Sequence, residues 1–387
     1  MSSERATLID LFCGCGGFSL GAELAGFHSL AAIDIDPVLQ SGYRKNFPST
    51  KAIEGNVAEI LKSDWRQLIG NVRPDGIIGG PPCQGFSRIG KRSKDDPRNS
   101  LIHHFYRHVD ELRPKFFVME NVEGLLDEGN CDVLMSAIER VSGHYEILGP
   151  LVVNAAHFGA ATNRRRVIVV GYDREDCDPL SVEQLQPTPG HLATVRDAIG
   201  DLPAPIEDAG QADDFGWAKY PSGSTKRLSN YARALRDGPP EGLGWVEAIQ
   251  WHKKGFVSGL HSTRHTEAVA RRYAMTKNGR SDPVSKSYRL EWSGQCPTLR
   301  AGTGSEKGSF QAVRPLHPAE GRVITVREAA RMQAFPDWFV FHPTKWHSFR
   351  MIGNSVSPSV SFGLLSTILD VIADPKHDEC AYNRRIA

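Results

Sequence analysis

Cys83 stands in the run Gly79-Gly80-Pro81-Pro82-Cys83-Gln84-Gly85-Phe86-Ser87, directly after the apolar stretch Gly76–Ile78. The two prolines fix their own φ and stiffen the backbone ahead of the thiol. In an open parallel sheet, strand ends are where ligands bind. A lone cysteine is ordinarily a small core hydrophobe. One held between Pro-Pro and Gln-Gly at a strand end reads instead as a nucleophile, a thiolate that adds to an electron-poor carbon. Such an addition needs an acid for the charge it creates. Glu120 closes the apolar run Phe116-Phe117-Val118-Met119, where burial would raise its pKa and let it carry a proton. Its structural alternative is a helix N-terminal acid ahead of Gly124-Leu125. In Asn163-Arg164-Arg165-Arg166, strand alternation puts Arg164 and Arg166 on one face. There they can meet a carbonyl, a phosphate or Glu120, or form a plain charged edge. The stretch Arg88–Arg98, with Lys91 and Arg92, is polar, basic and contains glycine. It is either a solvated loop or a lid whose cations meet phosphates.

These residues need a scaffold, and the first part of the chain supplies one. Ala6–Phe12 reads as a strand, Ser19–Ala25 as a helix, Ser29–Ile35 as a strand and Val38–Asn46 as a helix. Gly76–Ile78, Phe116–Met119 and Arg166–Val170 are further strands. Alternation of this kind implies an α/β fold with a doubly wound, mostly parallel sheet. The first strand enters a glycine turn, Cys13-Gly14-Cys15-Gly16-Gly17, where the backbone can approach a ligand closely and the next helix offers free N–H groups. An acid that binds ribose hydroxyls belongs roughly 20 residues on, at the tip of the second strand. Asp34 is there, with Asp36 beside it. The turn lacks the Lys-Ser/Thr ending of a phosphate-binding loop, and taken alone it also suits a nicotinamide enzyme.

Composition bounds the rest. The chain has 387 residues, enough for two domains. Its formal net charge of +1 gives no bulk basicity, so any nucleic-acid binding must come from local charge. The seven cysteines include no CxxC pair, no metal site is expected, and free thiols in a reducing compartment fit best. No signal peptide is evident at Met1–Leu11, and no apolar run approaches a membrane span. From Asp176 to His317, prolines, glycines and polar residues scatter and periodicity weakens; pattern returns in helices at Thr325–Ala334 and Val360–Ala373. The expected division is a catalytic and cofactor-binding domain over 1–180 and 340–387, with an irregular second domain over 181–339.

The chain resembles the DNA cytosine-5 methyltransferases of bacterial type. Six motifs in family order carry the resemblance: Asp10–Gly17, Pro81-Pro82-Cys83-Gln84, Glu120-Asn121-Val122, Arg164-Arg165-Arg166, Arg327-Glu328-Ala329-Ala330-Arg331 and Gly353-Asn354-Ser355-Val356. It implies a Rossmann-like methyltransferase fold with a target-recognition domain over the irregular middle. It also implies S-adenosyl-L-methionine as methyl donor, double-stranded DNA as partner, and a flipped-out base. Cys83 would add to carbon 6 of cytosine, making carbon 5 enamine-like. Glu120 would partner N3, and Arg164 and Arg166 would support the site. Phe12, Gly14, Gly16, Gly17, Asp34, Ile35, Asn56, Pro82, Leu101, Asn354 and Val356 would hold the donor. Gln84, Ser87, Arg88, Lys91, Arg92, Thr298 and Leu299 would meet DNA. Helix Arg327–Arg331 would brace the recognition domain. The chain departs from the family pattern at Thr162, where glutamine is usual, at Asn56, where an acid is usual, and at Ile35, where an aromatic is frequent.

The resemblance further implies a cytoplasmic bacterial enzyme, associated with the nucleoid through DNA. It would be monomeric and paired with a restriction or other defence system. A transfer-RNA cytosine methyltransferase is one alternative, but the Cys-Phe-Thr element of that subfamily is missing. A non-catalytic DNA-binding relative would lack the nucleophile. A dehydrogenase gives Pro-Pro-Cys-Gln no role, and a zinc deaminase needs a Pro-Cys-x-x-Cys pair that is absent.

Overall fold

The computed structural model describes residues 5–82, 100–188, 190–221, 228–301 and 314–372. The first elements alternate as β1 (Thr7–Leu11), α1 (Gly17–Ala25), β2 (His28–Asp34), α2 (Pro37–Asn46), β3 (Lys51–Glu54), α3 (Lys62–Ile69) and β4 (Gly76–Gly79). They continue as α4 (Ser100–Leu112), β5 (Phe116–Asn121), α5 (Cys131–Glu139), β6 (Glu146–Asn154), β7 (Thr162–Asn163) and β8 (Arg165–Tyr172). Seven of the strands form one sheet in the order β3-β2-β1-β4-β5-β8-β6. From β3 to β5 all neighbours are parallel; β8 and β6 are antiparallel.

The central strands are continuous apolar runs because helices cover both faces of the sheet. Leu8, Ile9, Leu11, Ile77, Ile78 and Phe116 to Met119 are all buried. The chain winds outward from β1 to β3, then crosses back to lay β4 on the other side of β1. That reversal, between β1 and β4, is the switch point where a crevice opens beyond the strand ends.

Several elements differ from the sequence reading. Helix α1 starts inside the glycine turn, at Gly17, because Gly16 adopts φ 96° and serves as its N-cap. Strand β8 extends to Tyr172, and the tract before it breaks at Arg164: β7 pairs with β11 (Cys296–Pro297) rather than continuing the large sheet. Helix α4 was not anticipated, although Ile102, Phe105, Tyr106 and Val109 follow helical spacing and are buried. Strand β6 was also missed; it contains Pro150 and lies at the sheet edge, where proline costs no ladder bond.

The middle of the chain carries short elements: α6 (Val195–Ile199), β9 (Ala218–Lys219), α7 (Asn230–Arg236), α8 (Val246–Lys253), β10 (Phe256–Val257) and α9 (Glu267–Met275). Then come β11, α10 (Val326–Met332), α11 (Lys345–Asn354) and α12 (Pro358–Ile372). In α10, Thr325 caps the N-terminus through Glu328 N, and Arg327 and Arg331 are fully buried. Arg327 donates to Ser258 O, Pro336 O and Phe339 O. Arg331 meets Asp337 at 2.7 Å and Asp201 at 2.9 Å. One core joins α10 residues to Cys15, Tyr43 and Phe47 of the first domain.

The stretch Lys345–Ile372 passes a test of length and composition for crossing a membrane, a test that the buried core helix of a globular protein also passes. It is two helices separated at Ser355–Ser357, and Leu364, Leu365, Ile368 and Ile372 pack into the core beside Phe18 and Ala22 of α1.

Candidate active site

The crevice has one wall at the end of β1. Phe12, Gly14 and Gly16 take positive φ values of 62°, 57° and 96°. At Gly14 an added Cβ would meet nothing within 4 Å, so the turn faces open space there. Gly17 is under the opposite constraint: a Cβ would lie 2.1 Å from Ser355 Oγ and 2.3 Å from Val356 O. The glycine turn therefore sits directly on the link between α11 and α12, and this brings Asn354 and Val356 to the same wall.

Asp34 shapes the turn. Its Oδ2 accepts from Gly14 N at 2.9 Å and its Oδ1 from Asp36 N at 2.9 Å. Burial raises the Asp34 pKa against the pull of those two N–H groups. Each oxygen keeps a lone pair for a further donor. Asp36 caps α2 through Val38 N and Leu39 N and is held by Arg350 at 2.7 Å from α11. Nothing in the sequence pointed to Arg350, since the pair spans 314 residues. Ile35 is 67% exposed beside this acid. Asn56 is occupied locally, its amide donating to Glu59 and accepting from Ala58 N. Leu101 is half-buried in the first turn of α4.

Behind the turn, Asp10 is buried and accepts from Ser19 Oγ at 2.6 Å, and Tyr43 OH donates in turn to Ser19. Burial, with a smaller contribution from Asp34, pushes the Asp10 carboxyl up to about 8. Ser19 and Tyr43 had no sequence signal for this role.

The second wall is at the ends of β4 and β5. Glu120 is buried at the end of β5, so the helix N-terminal alternative does not apply. A Cβ on Gly80 would lie 3.2 Å from Glu120 Oε2, which shows how closely the Gly-Gly-Pro-Pro tract approaches the acid. Asn121 Nδ2 fixes that tract by donating to Pro81 O at 3.1 Å. Arg166 Nε lies 2.9 Å from Glu120 Oε1. This is an ion-pair contact, but its alignment is not that of a hydrogen bond, and among the described residues no donor reaches Oε1.

Arg164 and Arg166 line one pocket with Glu120, Val153, Ala155 and Val356, as alternation predicted despite the strand break between β7 and β8. Arg164 is buried, and desolvation pushes its guanidinium well below the usual range. Thr162, the departure from the family pattern, donates from Oγ1 to Cys296 O at 2.9 Å. Thr298 Oγ1 donates to Asn163 O at 2.7 Å, and Leu299 O accepts from Arg164 Nη1 at 3.2 Å. The structure thus brings Glu120, Arg164, Arg166 and Val356 around one pocket, ties Thr298 and Leu299 to the tract that carries Arg164, and sets Gly17 of the glycine turn, whose Gly14 is bound by Asp34, against Val356. Cys83, Gln84, Ser87, Arg88, Lys91 and Arg92 lie outside the described residues.

Comparison with known proteins bears on the fold and the family. The chain superposes on a crystal structure of a prophage-encoded E. coli protein assigned to the DNA modification methyltransferases, with TM-score 0.85 and 40% identity over 95% of this chain and 100% of that one. An Entamoeba histolytica methyltransferase shares the fold alone, with TM-score 0.57 and 14% identity over 95% of this chain and 99% of that one. The sheet and the crevice at its switch point are those of a methyltransferase. The C-5 cytosine-specific DNA methylase profile matches residues 6–370, and the chain belongs to that family. The type II methyltransferase M.XorII of Xanthomonas oryzae pv. oryzae is 43% identical over 90% of this chain and 81% of that protein. M.DdeI of Desulfomicrobium norvegicum is 31% identical over 93% and 88%.

Proposed function

We propose that the protein transfers a methyl group from S-adenosyl-L-methionine to carbon 5 of cytosine in a specific double-stranded DNA sequence. The reaction proceeds through a covalent Cys83 adduct on a flipped-out base. The observation that carries this reading is the buried Glu120–Arg166 pair, set against Gly80 and facing one pocket with Arg164 and Val356. In the sequence, Cys83 follows directly on Pro82, the last described residue of that tract.

The residues present fit the donor. Gly14 faces open space, Asp34 keeps lone pairs for two ribose hydroxyls, and Ile35 offers an exposed apolar face to an adenine ring. Phe12, Gly16, Gly17, Asn56, Pro82, Leu101, Asn354 and Val356 complete the holding set. When bound, S-adenosylmethionine supplies an electrophilic methyl group on its sulfonium.

The chain's own residues do the rest. The Cys83 thiolate forms a bond to carbon 6, and electron density moves toward carbon 5 and N3. Glu120 holds a proton at N3, so the ring carries no full negative charge. Arg166 orients the Glu120 carboxylate. Once carbon 5 has taken the methyl group and S-adenosylhomocysteine has left, the carbon 5 proton passes to a solvent base, its electron pair re-forms the carbon 5–carbon 6 double bond, the Cys83–carbon 6 bond breaks to return the thiolate, and the N3 proton goes back to Glu120. Burial of the pocket strengthens these contacts by excluding water. Removing the base from its stack costs a few kcal/mol that DNA binding must offset. Gln84, Ser87, Arg88, Lys91 and Arg92 would contribute phosphate and base contacts beside the site, with Thr298 and Leu299 on its recognition side.

Residues 181–339 are proposed as the target-recognition domain, and 1–180 with 340–387 as the catalytic domain. The cell role follows the type II relatives: a monomeric, cytoplasmic modification enzyme that protects DNA from a cognate nuclease. Incubation with labelled S-adenosylmethionine and unmethylated genomic DNA, followed by mapping of 5-methylcytosine, tests the proposal. The expected result is methylation at one short motif, lost in Cys83→Ser while DNA binding is retained. Methylation of transfer RNA and of no duplex would overturn the substrate.

A further inference from the structure

Arg164 makes contacts that the chemistry above does not require. Its Nη1 donates to Leu299 O at 3.2 Å, and its Nη2 donates to Gly353 O at 3.0 Å and Ser355 O at 2.9 Å. These carbonyls belong to two distant pieces of chain. Leu299 ends the segment 296–299, which is clamped to β7 by the β11 pairing, by Thr162 Oγ1 on Cys296 O and by Thr298 Oγ1 on Asn163 O. Gly353 and Ser355 flank Asn354 in the link that forms the cofactor wall. A separate observation shows that the two pieces touch. A Cβ on Gly353 would fall 2.4 Å from Ala301 N and 2.5 Å from Arg300 C, so the backbones meet with no side chain between them.

A buried guanidinium is costly to desolvate, and apolar packing of equal volume is often as stable or more so. A tie made for stability alone has no need of a charge. A planar fork does something packing cannot: it fixes three carbonyls, on two segments, in one rigid geometry. If either segment shifts, the guanidinium must abandon bonds to the other.

We infer that Arg164 is a positioning residue that couples the two substrates of the proposed reaction. Through it, seating of segment 296–301 on DNA and closure of the 353–356 wall on the methyl donor become one equilibrium. The inference rests on the proposed methyltransfer reading. Linkage makes the coupling reciprocal: DNA tightens donor binding by the same factor as donor tightens DNA.

The test titrates S-adenosylhomocysteine, which cannot react, into the protein with and without a duplex carrying the mapped motif. For the native chain the duplex should tighten binding by about 10-fold, within the usual range of coupling. In Arg164→Lys, which keeps the charge but not the fork, that factor should fall to about 2-fold or less. The reading is the ratio of the affinities with and without DNA, whatever the variant does to the affinity for the donor alone. A merely structural role would lower both affinities and leave their ratio intact. Hydrogen exchange on the native chain provides a reading that does not depend on the variant folding. S-adenosylhomocysteine alone should slow exchange in 296–301 as well as in 353–356. Full coupling in Arg164→Lys, or protection confined to 12–17 and 353–356, overturns the inference and leaves the methyltransfer reading standing. No protection at 12–17 overturns both.

Discussion

Replacing Asp10 with asparagine should change how stability depends on pH. The Asp10 carboxyl is 1% exposed, no donor among the described residues reaches its Oδ1, and burial lifts it from an ordinary 3.8 to about 8. Because the folded value lies above the unfolded one, its contribution to stability is fully present below about 3.8 and drains away as pH rises toward 8. At pH 5 about one unit of that difference has been spent, and at pH 8 about four. At 1.36 kcal/mol per unit, the native protein should lose roughly 3–4 kcal/mol from this group between pH 5 and pH 8. The amide in Asp10→Asn is neutral throughout and should lose none of it. Urea unfolding of both proteins at pH 5, 6, 7 and 8, without ligand, reads the effect as a difference that cancels all other titrations. Omitting ligand matters because binding to the folded state adds a stabilisation of its own. The variant should gain on the native protein by roughly 3–4 kcal/mol across the series. A difference flat within about 1 kcal/mol would refute the reasoning, and would mean that Asp10 is an ordinary ionised carboxylate satisfied by Ser19.

Other substitutions probe the crevice and its support. Glu120→Gln should lower kcat by about 10²–10⁴-fold in a methyl-transfer assay, with cofactor affinity little changed, because the acid acts only on the reacting ring. Gly17→Ala should cost about 1–3 kcal/mol by overpacking and weaken cofactor binding, since its Cβ would strike Ser355 Oγ and Val356 O; calorimetric titration and thermal melting measure the two effects. Arg331→Met should cost about 3–5 kcal/mol by taking the nearest cation from buried Asp337, which keeps only Tyr220 and, at 3.9 Å, Arg327, and by breaking the pair with Asp201. Melting of the double variant Arg331→Met/Asp337→Leu should recover much of that loss if the charge is the cause.

What could be read from the sequence was what is decided locally. The strands around Leu8–Leu11, Ile77–Ile78 and Phe116–Met119 declare themselves because a doubly covered sheet requires unbroken apolar runs. The glycine turn, Asp34 and the position of Glu120 follow from strand ends, which the same runs locate. Helix α4 could have been found from its apolar spacing; its four histidine and arginine interruptions, at His103, His104, Arg107 and His108, masked the stripe. Strand β6 was hidden by Gly149-Pro150, which reads as a turn unless the strand is known to lie at an edge. The supports of the site were not legible at all. Arg164 reaches carbonyls 135 to 191 residues away, and Arg350 reaches Asp36 across 314. No periodicity encodes a partner at such separations. Only the assembled sheet brings them together.

The pairing of α1 with α12 has a consequence for the making of the protein. Gly21 lies so close to the last helix that a Cβ there would be 2.3 Å from Ser361 Cβ, and Ser361 Oγ donates to Phe18 O at 2.6 Å. One face of the first helix therefore stays uncovered until α12, which begins at Pro358, has been made. At about 5–20 residues per second, that is a wait on the order of tens of seconds. Throughout it, the face of α1 and the glycine turn beneath it remain open. Chains not yet extended through α11 and α12 thus lack the 353–356 wall that the proposed donor site needs.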